Sequence, residues 1–306
     1  LDFQTGYQKR PLTMEEHKAA GDFAGESQQE NWSFGYDVSR IHLFKDKIGG
    51  YHPPKDGATL LEMHLSAPGD KMKSASLNDF GMPRAPIVDQ GACGSCVCAA
   101  FTGGVMDIVL QRGIQLPDIL SISALMWCSN GSQCSGADGE TIAADTVRLG
   151  GLPTNKDVPY IPRNGRCPST SQFDKYGDIV GWETLPKNST RDILAAIHAR
   201  LPVMVGVAAD NKFSAYSDGV YNPQTFSMGT NHYVKATAID CEDAVDADGY
   251  CAFNDAGELP PGKGTIDIDN SWGTRYGKQG RIRMKITDLK GRRTNNIAGG
   301  FGNAQI

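Results

Sequence analysis

The sequence predicts an α+β fold in two lobes, helical in the first and β-rich in the second, with a cleft between them. Three observations lead there. Helix signals concentrate between residues 95 and 149, where apolar residues recur at helical spacing and serine or glycine marks the ends. Runs rich in branched and aromatic residues follow residue 200 and read as strands. Three reactive groups, a cysteine-rich turn at 90–96, Asn231-His232 and Asn270-Ser271, stand far apart in sequence, so a cleft between the halves is where they would meet.

Residues 1–75 lie ahead of this two-lobed unit. They are polar, carry Pro53-Pro54 and several glycines, and offer one capping-box helix start in Thr13-Met14-Glu15-Glu16 and one weakly alternating strand over Arg40-Ile41-His42-Leu43-Phe44. A helix is expected over 95–112, ending near Gly113, with Val105, Ile108 and Val109 at i, i+3 and i+4 forming its apolar face. A second covers 121–128, opened by Ser121 or Ser123, and a third 139–149, stopped by Gly150-Gly151. A fourth, over 190–200, opens the second lobe, and strands follow at 202–207, 233–239, 264–268 and 281–286 in a barrel-like arrangement. The helical lobe spans about 76–185 and the β-rich lobe about 186–306, and neither contains an internal repeat.

The string Gln90-Gly91-Ala92-Cys93-Gly94-Ser95-Cys96 has two chemical readings. In one, Cys96 begins a helix whose dipole favours thiolate, glycines permit the tight turn before it, and the Gln90 amide curls back towards an oxyanion beside the sulfur. In the other, Cys93 and Cys96 form a redox or metal-binding C-x-x-C. Partners for a nucleophile follow downstream in His232 and Asn270, which favours the first reading.

With Gln, Cys, His and Asn in this order, and with Ser271-Trp272-Gly273-Thr274-Arg275-Tyr276-Gly277-Lys278-Gln279-Gly280 following an S-W-G-x-x-[WY]-G-x-x-G pattern, the chain resembles the papain-like (C1) cysteine peptidases. The resemblance implies Cys96 as nucleophile, His232 as the base paired with it, Asn270 as the group that orients the imidazole and Gln90 as oxyanion donor beside the Cys96 N–H. It implies that Trp272 shields the Asn270–His232 bond and stands among the substrate-binding residues. It places Gly136, Ala137, Asp138, Gly206 and Tyr233 around the peptide-binding sites, and it implies no cofactor and no metal. Residues 77–90 look like the start of a mature enzyme of this family, so residues 1–75 are expected to be a propeptide lying in the cleft, and the chain a zymogen. The family's long helical prosegment pattern is absent, which leaves a surface-packed arm as the other reading; Tyr36 and Phe44 would plug pockets or anchor that arm.

The resemblance also implies the bridges Cys93–Cys134 and Cys128–Cys167, leaving Cys241 with Cys251 as a third and Cys98 as a small buried hydrophobe. Three bridges point to an oxidising compartment, secreted or lysosomal/vacuolar. The sequons at Asn31, Asn130 and Asn188 are compatible with that. Leu1 in place of methionine predicts a lost N-terminal segment, and no apolar run is long enough for a membrane span. A net charge of −5 and a pI near 5.7 give no basic footprint for nucleic acid. Protein or peptide substrates and a monomer are expected.

Departures from the family pattern fall around the site. Val97 replaces the aromatic that usually follows the nucleophile. Tyr233 replaces a small residue bordering the main specificity pocket and is expected to reshape it. Ala137 replaces a glycine where substrate backbone pairs. Asp138 either favours a basic or polar substrate side chain or caps the helix at 139. The short Cys128–Cys134 segment leaves no room for an occluding loop, which favours endopeptidase action. The long stretch between His232 and Asn270 contains Cys241, Cys251 and Pro260-Pro261-Gly262 and should form a disulfide-closed projection, whose Asp243, Asp246 and Asp248 fit a solvated tip better than a calcium loop. Two other functions remain open: a transpeptidase or ligase using the same acyl-enzyme, and a non-catalytic binding module.

Overall fold

The structure, a computed structural model, describes residues 71–130, 133–179, 181–186, 189–222, 230–241, 243–286 and 299–303. The expected helix at Thr13, the strand over 40–44, Tyr36, and the sequons at Asn31 and Asn188 lie outside them.

Five α-helices are described: α1 (Cys96–Gln111), α2 (Ile122–Cys128), α3 (Gly139–Arg148), α4 (Thr190–His198) and α5 (Asn211–Ser214). Their starts are chemical. The side chains of Ser121, Asp138, Ser189 and Asp210 each accept a backbone N–H of the first turn of α2, α3, α4 and α5. Helix α1 has no such side-chain cap, although Ser95 stands at the capping position. It is buried on nearly every side, 13 of its 16 residues being inaccessible, so it is a central helix rather than an amphipathic one. Around it packs the first core, with Phe101, Val105, Met106 and Val109 of α1 against Leu120, Leu125 and Ile142. Full burial stabilises each such side chain by about 1.5–3 kcal/mol.

The second core lies on one eight-stranded sheet, made of β1 (Ala75–Ser76), β2 (Gly181–Thr184), β3 (Val203–Val207), β4 (Val220–Tyr221), β5 (His232–Asp240), β6 (Thr265–Asp269), β7 (Arg281–Lys285) and β8 (Gly299–Asn303). The order is β2-β8-β3-β5-β6-β7-β4, with β1 added on β5. The pairs are antiparallel except β4 with β7. Among the described residues this barrel-like sheet is left open, ending at β2 on one side and β4 on the other. Strand β5 is buried along almost its whole length because α1 covers one face while Leu194, Ile197 and Val205 pack with Val234 and Ala236 on the other.

Two chain segments cross the expected boundaries. Strand β2 falls within the helical half of the sequence yet pairs with β8, near the other end of the chain. Residues 71–76 are strapped to the β-rich lobe: β1 pairs with β5, Met72 accepts the Cys251 N–H at 2.8 Å, and Lys71 meets Asp248 at 2.7 Å and Asp246 at 3.5 Å. The boundary expected at 75/76 thus cuts a hydrogen-bonded strand.

The 241–263 insertion is less of a projection than its sequence suggests. Cys241, Cys251 and Leu259 belong to the sheet core, and Val245 is its exposed apolar residue. Its carboxylates are engaged: Asp246 accepts the Asp248 and Tyr250 N–H groups, and Asp243 accepts the Gly264 N–H and meets Lys263 and Lys285.

Candidate active site

Cys96 is the first residue of α1, and its neighbours fix it from three directions. Cys93 is bridged to Cys134. The Gly94 N–H donates to the Cys134 carbonyl at 3.0 Å, and Ser95 shares a 2.7 Å hydrogen bond with the Tyr160 hydroxyl. Gly91 takes a left-handed φ of 60°. Gly94 is needed for a different reason, close approach: a Cβ there would lie 2.4 Å from the Cys134 carbonyl oxygen.

His232 begins β5, and its imidazole lies against Asn270 at the end of β6. His232 Nε2 and Asn270 Oδ1 are 2.7 Å apart. The same Oδ1 accepts the Ser271 backbone N–H at 2.8 Å, which can only donate, so this atom is the amide oxygen. The imidazole must then donate from Nε2, leaving Nδ1 as its basic nitrogen. That Nδ1 is buried with no hydrogen-bond partner. Trp272 covers the pair, its ring 4.9 Å from the imidazole, and Phe213 stacks edge-on against both. Trp272 is itself buried, as Cys96 and His232 are.

Gln90 is locked to both lobes. Its N–H donates to the Ser271 carbonyl, its Oε1 accepts the Ser271 hydroxyl at 2.5 Å, and its carbonyl accepts the Tyr160 hydroxyl at 2.7 Å. Its Nε2 donates to the Cys93 carbonyl at 2.8 Å, which uses one of two amide hydrogens. Tyr160 was not legible as part of this site from sequence, because an isolated tyrosine carries no spacing signal; Ser271 stood in the S-W-G pattern, but its hydroxyl bond to Gln90 was not legible there.

Of the residues expected around the substrate, Gly136, Ala137 and Asp138 follow the bridged Cys134 and adjoin the nucleophile turn, while Gly206 of β3 pairs with Tyr233 of β5. Asp138 accepts from the Thr141 N–H and hydroxyl, so both its oxygens serve as the cap of α3. Tyr233 turns away from the sheet core towards α1. Its ring stacks on Phe101 at 6.0 Å, and its hydroxyl lies where a Cβ on Gly139 would be only 2.7 Å away. Val97 and Cys98 are buried in the helical-lobe core, and Cys98 is unbridged. The two other bridges are Cys128–Cys167 and Cys241–Cys251.

Cys96 and His232 are both fully buried. Burial pushes the Cys96 thiol up to about 12, with hydrogen bonding from the backbone of Tyr233, Val97 and Cys96 itself acting the other way. Burial likewise holds His232 down to about 4, which the Asn270 bond opposes. Both groups are therefore neutral in this state. Between pH 6.5 and 4 the unfolded chain protonates His232 and the folded chain does not, so stability is lost as the pH falls through that range, by on the order of 3 kcal/mol. Above pH 9 the unfolded thiol ionises and the buried one does not, so stability falls again. Thermal unfolding from pH 4 to 10 should show a plateau between about 6.5 and 9, and His232→Gln should flatten the acid limb. An acid limb unchanged by that substitution would contradict the assignment.

A family model described as papain family cysteine protease matches residues 79–298, and the chain belongs to this family. A rice protein named Cysteine protease 1 (Oryza sativa subsp. japonica) is 31% identical over 219 residues, 69% of this chain and 40% of that protein. The chain thus spans well under half of this relative's length. Among solved structures, digestive procathepsin L2 proteinase from Tenebrio molitor larval midgut aligns over 96% of this chain and 95% of its own, with a TM-score of 0.70 at 19% identity. The bromelain protease of Ananas comosus, solved in complex with the E64 inhibitor, aligns over 76% and 99%, with a TM-score of 0.62 at 24% identity. Disulfides fit an oxidising compartment. No helix among the described residues is long and apolar enough to cross a membrane.

Proposed function

We propose that the chain is a cysteine endopeptidase acting on protein or peptide substrates through a Cys96 acyl-enzyme. The observation that carries this is the shielded His232–Asn270 bond, which leaves Nδ1 as the basic nitrogen of an imidazole next in sequence to Tyr233, whose backbone reaches the Cys96 sulfur. Cys96 Sγ attacks the carbonyl carbon and its proton passes to His232 Nδ1. The Cys96 N–H and the second Gln90 Nε2 hydrogen hold the oxyanion. Collapse breaks the C–N bond, and the imidazolium returns the proton to the leaving amine. Water, deprotonated by His232, then attacks the thioester and releases the acid and the thiol.

Residues ahead of the 71–76 strap act as a propeptide over the cleft, a reading supported by the complete burial of Cys96 and His232 and by the likeness to procathepsin L2 across almost the whole chain. The enzyme works as a monomer in a secretory or vacuolar compartment. Acid, by protonating His232, weakens the buried neutral arrangement and favours opening. The experiment is digestion of a denatured protein at mildly acidic pH with a free amine added. New internal termini carrying water are expected. Amine-capped termini would make the chain a transpeptidase, and no cleavage by a processed chain with intact Cys96 would make it a binding module.

Tyr233 fills the space between β5 and the start of α3, so substrates with small side chains at the adjoining subsite are preferred. Tyr233→Ala should raise relative kcat/KM for bulky side chains there by roughly tenfold, measured with a peptide library. An unchanged profile would place Tyr233 outside the pocket.

A further inference from the structure

A cluster of buried charges joins the elements that carry Cys96, His232 and Asn270. Asp107 stands eleven residues after Cys96 on α1, three helical turns along and hence on the same face. Lys235 stands three residues after His232 on β5, and Asp269 immediately precedes Asn270 on β6, directly opposite Lys235 in the strand register. Lys235 Nζ lies 2.5 Å from Asp107 Oδ2 and 3.4 Å from Asp269 Oδ2. Arg84, from the segment leading to Gln90, pairs with the same Asp269 oxygen, and Arg281 of β7 meets its other oxygen at 3.1 Å. The second Asp107 oxygen accepts the Ala85 N–H at 2.6 Å. The side chains of Asp107, Lys235, Asp269 and Arg84 are all at most 7% exposed.

We propose that Asp107, Lys235, Asp269 and Arg84 are positioning residues that set the separation of Cys96 and His232 for the reaction proposed above. Two buried anions and two buried cations balance, with Arg281 at the rim. Burial opposes ionisation of Asp269, but Arg84, Lys235 and Arg281 outweigh it and hold its carboxyl well below the usual range. Apolar surfaces tolerate sliding; this cluster does not. A shift of α1 along β5 separates Lys235 from Asp107 and strands a charge away from water. Stability alone is a weak reason for such a cluster, since a buried pair replaced by apolar residues of similar size is often no less stable. Register is what the cluster supplies, and the register it fixes is that of α1 against β5 and β6.

The test compares full-length parent, the double variant Asp107→Leu/Lys235→Met and the single variant Lys235→Arg after acid incubation. Asp269 keeps Arg84 and Arg281 in the double variant. Thermal unfolding, kcat and KM for a peptide, and the pH profile of iodoacetamide alkylation at Cys96 are read in each. The double variant is expected to unfold within a few degrees of the parent with KM within twofold, while kcat falls at least tenfold. Its acid limb of alkylation, which reports thiolate paired with imidazolium, should fall at least tenfold too. Lys235→Arg keeps the charge but alters the spacing, and is expected to fold and lose several-fold in kcat, so it decides the matter if the double variant does not fold. Parent-like kcat and an unchanged acid limb in a folded variant would overturn the proposal. A parent that shows the acid limb without hydrolysing peptides would overturn the peptidase reading and leave this one standing.

Discussion

Cys96→Ala is expected to lower peptide hydrolysis by about 10⁴-fold or more, because nucleophile and base act as a unit and neither substitutes for the other. Cys98, two residues along the same helix, does not compensate: it is buried in the helical-lobe core, where burial raises its thiol pKa even further than that of Cys96. The variant should keep the parent's unfolding temperature within a few degrees, since only one buried sulfur is lost. Assay of hydrolysis beside thermal unfolding checks both halves. Activity retained in a folded Cys96→Ala chain would remove the acyl-enzyme from the account.

Gly94→Ala is expected to be the most damaging small substitution near the site. The new Cβ would meet the Cys134 carbonyl oxygen at 2.4 Å, well inside contact distance. Neither partner can retreat easily, since Cys93 is bridged to Cys134 and the Gly94 N–H is bonded to that same carbonyl. A loss of about 3 kcal/mol is expected, together with a fall in activity as the start of α1 moves. Denaturant unfolding beside an activity assay measures it. A parent-like midpoint would mean that the turn yields where this packing says it cannot.

How much of this could be read from the chain differs from element to element. The start of α1, the capping serine at 121, and strands β3, β5, β6 and β7 were legible because local signals and tertiary packing agree there. Strand β8 was not: Gly299-Gly300-Phe301-Gly302 has no alternation, and its place between β2 and β3 is decided by pairing with distant partners. Strand β1 has two residues and no pattern of its own. At the site, Gln90, Cys96, His232 and Asn270 stood out through order and local motif. The direction of Tyr233 towards Phe101, and the meeting of Asp107 with Lys235, depend on which faces of α1 and β5 touch. Isolated charges in a sequence read as surface, and only the packed structure shows them buried together.

The central proposal is that Cys96 is the nucleophile of a peptidase and that the residues ahead of 71 serve as its propeptide. Its most direct test is covalent labelling by a peptidyl epoxide at mildly acidic pH, with the adduct mapped by mass spectrometry before and after proteolytic removal of the residues ahead of the 71–76 strap. The account predicts one adduct, on Cys96, appearing after removal and abolishing hydrolysis in proportion to labelling. Equal labelling in both forms would contradict the closed state, and hydrolysis that persists with Cys96 fully labelled would contradict the claim itself.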